Sequence, residues 1–228
     1  MARLDRLSAA REIAQIGACI GREFSLELVA AVSRWPQQQV SKALDDLTQA
    51  ALLHRTGGVE GAVFMFKHAL VQDVAYQSML KSYRAEIHPR IAREILARYP
   101  ALSENQPEIV AHHFTAAGLE AEAVPYWLEA GRHALAATAL PESIEHLRKA
   151  LDLTVRLPAS LARSHLELEV RITLAVAFMA FGGWAHAELP ALLGCQQAEK
   201  PTVDLSHRCL GQPRKLWQER LETLCARH

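Results

Sequence analysis

The 228-residue sequence predicts a mainly α-helical chain in two parts, a module of short helices with one β-hairpin and then an antiparallel helical array. Three observations predict it. Apolar residues recur one helical turn apart over most of residues 1–184, a single β-prone stretch is punctuated by glycines, and residues 83–184 hold almost nothing but helical pattern. Half of the residues are apolar, enough for a real core. Lys and Arg balance Asp and Glu at 25 each, so no global charge draws the chain to nucleic acid or membrane.

In chain order, Ile13, Ile16 and Ile20 mark one face of a first helix that stops near Gly21. Ser25 reads as the N-cap of a helix over 26–33, broken by Trp35-Pro36. Val40, Leu44, Leu47 and Ala51 lie one turn apart on a third helix, and LLHRTGGVEGAVFMFK reads as a hairpin. Three helices and a hairpin make residues 1–82 a winged-helix-like module. Pro89 is expected to open a helix running to Tyr99, because proline suits a first turn and not a helix interior. Pro107 opens the next, with Ile109, Val110 and Phe114 on it and Gly118 closing it. Val124, Trp127, Gly131 and Leu135 share a face of the helix after that, and Ile144, Leu147 and Leu151 of its successor. A last helix over 161–181 is apolar all round beyond Val170, which predicts neighbours on both sides.

Residues 83–184 also answer a repeat search. Trp127 and Gly131 on one helix, with Ser143, Leu147 and Ala150 on the next, fit the tetratricopeptide pattern in type and spacing; Ala130 and Ala134 are undersized and Pro158 comes late. Small residues let two helices approach while Trp127 and Leu147 fill the space between them. One such pair cannot bury both faces, so more repeats are expected on the C-terminal side. Instead, residues 185–228 form a divergent tail with Pro190, Pro201, Pro213 and three of the four cysteines, before a short helical pattern over 216–224. That loss of pattern reads as a divergent or out-of-frame end.

Four stretches, MARLDRLSAAREIAQIGACIGREFS, FKHALVQDVAYQSML, PEIVAHHFTAAG and AVPYWLEAGRHAL, together resemble the region downstream of the nucleotide-binding domain in bacterial proteins that combine a class III adenylate/guanylate cyclase, an AAA/STAND-type ATPase and a tetratricopeptide array. The resemblance covers about residues 1–183, and FKHALVQDVAY is its most specific part. It implies that the chain is a piece of such a protein, whose ATP, ADP and Mg²⁺ bind elsewhere. The chain carries no phosphate-binding loop: its nearest imitation, over 194–202, has Glu199 in place of the second glycine and Pro201 between Lys200 and Thr202. No cofactor, metal or catalytic residue is therefore expected in these residues.

In KHALVQDVA, His68, Leu70, Asp73 and Ala75 resemble the histidine motif of STAND-type winged helices. The resemblance implies that His68 approaches the β-phosphate of ADP in an adjacent ATPase module and helps hold an inactive state. An imidazole N–H can donate to a phosphate oxygen, and its charge changes near neutral pH. The plainer reading is that His68 merely caps the hairpin-to-helix junction. The implied partners are that ATPase module and a protein ligand of the helical array.

Two other classes compete with this reading. A stand-alone interaction protein would use the helical array alone. A transcription regulator would read DNA with helix 40–51, but that helix offers Lys42 against Asp45 and Asp46, a poor match to a polyanion. The basic run Lys81, Arg84, Arg90, Arg93 and Arg98, interleaved with Tyr83 and Tyr99, reads first as a solvated helix face. Adjacent His112 and His113 point about 100° apart on a helix, and the pairs Glu108/His112 and Glu142/His146 lack a third ligand, so no metal is expected. His207 with Cys195, Cys209 or Cys225 has no finger spacing. Free thiols, a charged N-terminus and the lack of a long apolar run together predict a cytoplasmic chain.

Overall fold

The computed structural model describes residues 2–57, 61–183 and 186–192, with side chains from Ser8 onward. It is mainly helical with one small sheet. Helix α1 (Ala2–Ile20) buries Ile13 and Ile16 and packs on α3. Strand β1 (Glu23–Ser25) leads into α2 (Leu26–Val32), where the Ser25 hydroxyl accepts a hydrogen bond from the Leu28 N–H at 3.1 Å, as its N-cap position predicts. Ser25→Ala removes that acceptor. It is expected to cost about 1 kcal/mol, measurable as a lower urea midpoint at unchanged slope.

Helix α3 (Gln37–Gln49) buries Val40, Leu44 and Leu47, while Ala51 lies beyond its end at φ 60°. The hairpin is present as β2 (Leu53–Thr56) and β3 (Val63–Phe66). The sheet has a third member. Strand β1 pairs antiparallel with the far edge of β3, Phe24 opposite Phe64, giving the order β1-β3-β2. Phe24, Phe64 and Phe66 are all buried, with the Phe24 ring centroid 5.6 Å from that of Phe66, and they seal the sheet against the helices.

Helix α4 (Ala69–Gln77) buries none of its residues. Helix α5 (Lys81–Arg98) corrects the expectation for Pro89, which lies in the helix interior and is buried there. The ring removes one N–H, and the carbonyl it leaves belongs to Ala85 on the exposed side. Burial of Ile87, Ile91, Ala92 and Ile95 outweighs a defect of about 3 kcal/mol. α5 packs on α1 and α2 on one side and on α7 on the other, and one apolar core runs through the described residues from Ile13 to Leu189.

A short α6 (Pro100–Asn105) precedes α7 (Pro107–Ala116), which Gly118 terminates at φ +73°, a conformation that costs glycine nothing. α8 (Glu120–Ala136), α9 (Leu140–Arg156) and α10 (Leu161–Gly182) follow, each packed on its predecessor. Val124, Trp127, Ile144 and Leu147 are buried as their spacing predicts. The expectation that α10 has neighbours on both sides is not met among the described residues. Val170, Leu174, Ala177 and Phe178 are buried on the side facing α9, but Leu168, Ile172 and Val176 are exposed. A one-turn α11 (Leu189–Leu192) returns against α10. No described helix is long and apolar enough to cross a membrane.

Candidate functional site

His68 occupies the N-cap position of α4, where Ala62, Phe64 and Phe66 anchor the hairpin below and the chain turns into the helix. Its backbone is extended (φ −132°, ψ 134°), and its carbonyl accepts from the Val71 N–H at 3.0 Å. Its side chain makes no capping bond and is exposed. The imidazole is therefore presented outward, not spent on closing the junction. Around it the same element exposes Leu70 (72%), Val74 (59%) and, just past its end, Leu80 (75%), with Asp73 also exposed. A nine-residue helix that turns its larger aliphatic side chains to solvent is held by its ends and its partly buried Val71, Ala75 and Tyr76.

The inner side of α4 leads to a group that spacing did not announce. The Tyr76 hydroxyl lies 3.1 Å from Nε2 of His88 on α5, and His88 Nδ1 lies 2.9 Å from Nδ1 of His113 on α7. Both histidines are about 1% exposed. Two facing Nδ1 atoms at that distance share a single proton, so one ring donates and the other accepts. Burial drives His88 down to about 4, helped by His112 and then Arg84. Burial drives His113 down to about 3, helped by His88 and then His112. His112 is also lowered, by burial and then Lys149. The Arg84 guanidinium stacks 4.8 Å from the Tyr76 ring centroid. The network ties α4 through α5 to the first helices of the array. The His112-His113 doublet was its one visible trace in the sequence.

The five tetratricopeptide-pattern residues come together at the α8–α9 contact. Ser143 and Ala150 are fully buried with Leu147, and the Ser143 hydroxyl donates to the Gly131 carbonyl at 2.8 Å. A Cβ on Gly131 would stand 2.5 Å from Leu147 Cγ, so only glycine permits this approach. Trp127 is buried, donates from Nε1 to Thr115 Oγ1 at 2.9 Å and stacks on His146 with ring centroids 5.3 Å apart.

Other groups singled out in the sequence disperse. Lys81, Arg90, Arg93 and Arg98 project in different directions around α5 at 100° per residue, and Arg84 turns to Tyr76. They form no continuous stripe. The exposed side of α3 carries Lys42 with Asp45 and Asp46, and Asp45 pairs with Arg55 at 3.7 Å. Among the described residues no three His, Cys, Asp or Glu side chains are placed to hold a metal, Glu108/His112 and Glu142/His146 included. Cys195, Cys209, Cys225, His207 and the helical pattern over 216–224 lie outside the described residues. Cys19 is buried with its thiol pushed up to about 12, chiefly by burial, and lies 3.5 Å from the Met79 sulfur.

The chain is similar to an uncharacterised protein of Rhizobium meliloti, at 28% identity over 167 residues. The match covers 73% of this chain and 16% of that protein, so the chain spans a small part of the relative's length. No family model and no solved structure matches the chain.

Proposed function

We propose that these residues are a non-catalytic regulatory and scaffolding part of a signalling protein of the adenylate cyclase/AAA-ATPase type. In this reading residues 1–82 are a winged-helix-like arm that packs on an ATPase module. Residues 83–184 are the opening of a tetratricopeptide-like array that offers a surface to a protein ligand. The observation that carries it is the outward face of α4, where the exposed His68 side chain at the N-cap makes no capping bond and Leu70 and Val74 on the same helix are exposed, with Leu80 exposed beyond the helix's other end. Exposed aliphatic side chains interspersed with the polar Asp73 and Gln77 suit a docking surface for a folded neighbour, and an imidazole at the helix N-cap suits a phosphate of a nucleotide held there. The five-residue packing of α8 on α9 supports the repeat reading of the array. The much greater length of the similar bacterial protein accords with a part that works beside other modules.

The nucleotide chemistry belongs, in this reading, to the neighbouring module. With that ATPase module supplied in trans, His68→Ala is expected to speed ADP release severalfold while leaving the thermal midpoint of this chain unchanged, because the side chain makes no capping bond. An ADP off-rate equal to that of the unaltered protein removes the sensing role.

A further inference from the structure

We propose that the cleft where α1, the turn after α2 and the start of α5 meet is a binding site for a small aromatic anion, a flat ring that carries a carboxylate or a phosphate. The cleft has a volume of about 750 Å³, within the range of small-molecule sites. Three elements line it. Helix α1 contributes Arg11, Glu12 and Gln15, the turn contributes Arg34 and Trp35, and α5 contributes Tyr83. Glu12 fixes the two aromatic walls. Its carboxylate accepts from Trp35 Nε1 at 2.9 Å through one oxygen and from the Tyr83 hydroxyl through the other. Burial, and then the bond to Glu12, push the Tyr83 phenol above its ordinary pKa, so its hydroxyl stays a donor across the physiological range. With both polar atoms spent on Glu12, the two rings offer the cleft only aromatic carbon. A flat ring stacks on such a surface.

The charge left over is positive. Glu12 is the one carboxylate of the lining, against the guanidinium groups of Arg11 and Arg34. Arg11 makes no ion pair among the described residues. Arg34 has only Glu86, at 3.5 Å with side chains 70% and 61% exposed, a pair that water screens. A guanidinium fork takes a carboxylate or a phosphate in bidentate geometry. Gln15 adds a further polar contact. It is 8% exposed, donates from Nε2 to Ser78 Oγ at 2.8 Å and keeps its carbonyl oxygen without a partner among the described residues. A hydroxyl or amino substituent on the ring would satisfy that oxygen. A bare anion leaves the aromatic walls unused, and an uncharged ring leaves both guanidinium groups without a counter-ion, so the lining as a whole selects a ligand with both parts. His68 is not in this lining, and the docking reading of α4 stands or falls separately.

Titration of the full chain, followed by the side-chain N–H resonances of its arginines and tryptophans, tests the proposal with benzoate, phenyl phosphate, inorganic phosphate and phenol as probes. Benzoate or phenyl phosphate is expected to shift the Trp35 indole N–H with a Kd of about 1 mM or tighter, and to bind about tenfold or more ahead of inorganic phosphate and phenol. The tighter of the two names the anionic group. Arg11→Gln and Arg34→Gln, both at exposed side chains, should each weaken that binding about tenfold and leave the urea midpoint in place. The proposal is overturned by a lack of binding of either aromatic anion, by inorganic phosphate or phenol binding as tightly, or by an affinity that either arginine variant leaves unchanged.

Discussion

Leu147→Ala should lower the stability of the protein by about 2–5 kcal/mol. Leu147 is fully buried between α8 and α9, with its Cγ and Cδ2 against the backbone of Gly131, so truncation leaves a cavity that two rigid helices cannot close. Gly131→Ala attacks the same contact from the other side. Its new Cβ meets Leu147 Cγ at 2.5 Å, an overlap costing about 1–3 kcal/mol that exceeds the helical advantage of alanine, about 1 kcal/mol. The double variant Gly131→Ala/Leu147→Ala should be markedly less destabilised than the two losses added, because the shortened side chain makes room for the methyl group. Strict additivity in urea unfolding would show that the helices do not touch through these two residues.

Lowering the pH from 7.5 to 5 should weaken the fold steeply. His88 and His113 are held neutral, at about 4 and about 3, whereas the unfolded chain protonates them near 6.5. Between those values the unfolded state binds the extra protons, so stability is fully present above about 6.5 and falls as the pH drops toward 4. Each histidine contributes up to about 1.4 kcal/mol per pH unit in that window. His112 and His146, also lowered chiefly by burial, act in the same direction. His113→Gln, which keeps a polar group facing His88, should flatten the dependence of the urea midpoint on pH. A midpoint flat from pH 7.5 to 5 in the unaltered protein would contradict the buried neutral pair.

The elements that the sequence made legible are those whose information is local. Ile13/Ile16, Val40/Leu44/Leu47 and Ile144/Leu147 each repeat at one turn, and all are buried where that period places them. Strand β1 was not legible, because three residues give no alternation and Phe24 finds its place only through Phe64 and Phe66, forty residues on. Pro89 misled because a local penalty was weighed without the flanking Ile87, Ile91 and Ile95, whose burial carries α5 through it. Helix α4 carries only a short inward face, the partly buried Val71, Ala75 and Tyr76, with Leu70 and Val74 exposed opposite it; the resemblance around FKHALVQDVAY, not periodicity, drew attention to it. The pairing of His88 with His113 joins two helices at a separation that spacing does not encode. The outer stripe of α10 was legible as hydrophobicity, and its lack of a neighbour among the described residues was not.

The register of the small sheet also sets an order of events for assembly. β1 meets β3 only after about forty residues of intervening chain have been brought round, Glu23 reaching Met65, whereas α8 and α9 meet across a turn of three residues. Ring closure on the first scale is entropically dearer and slower than on the second. The α8–α9 pairing is accordingly expected to form before the β1–β3 pairing closes the sheet.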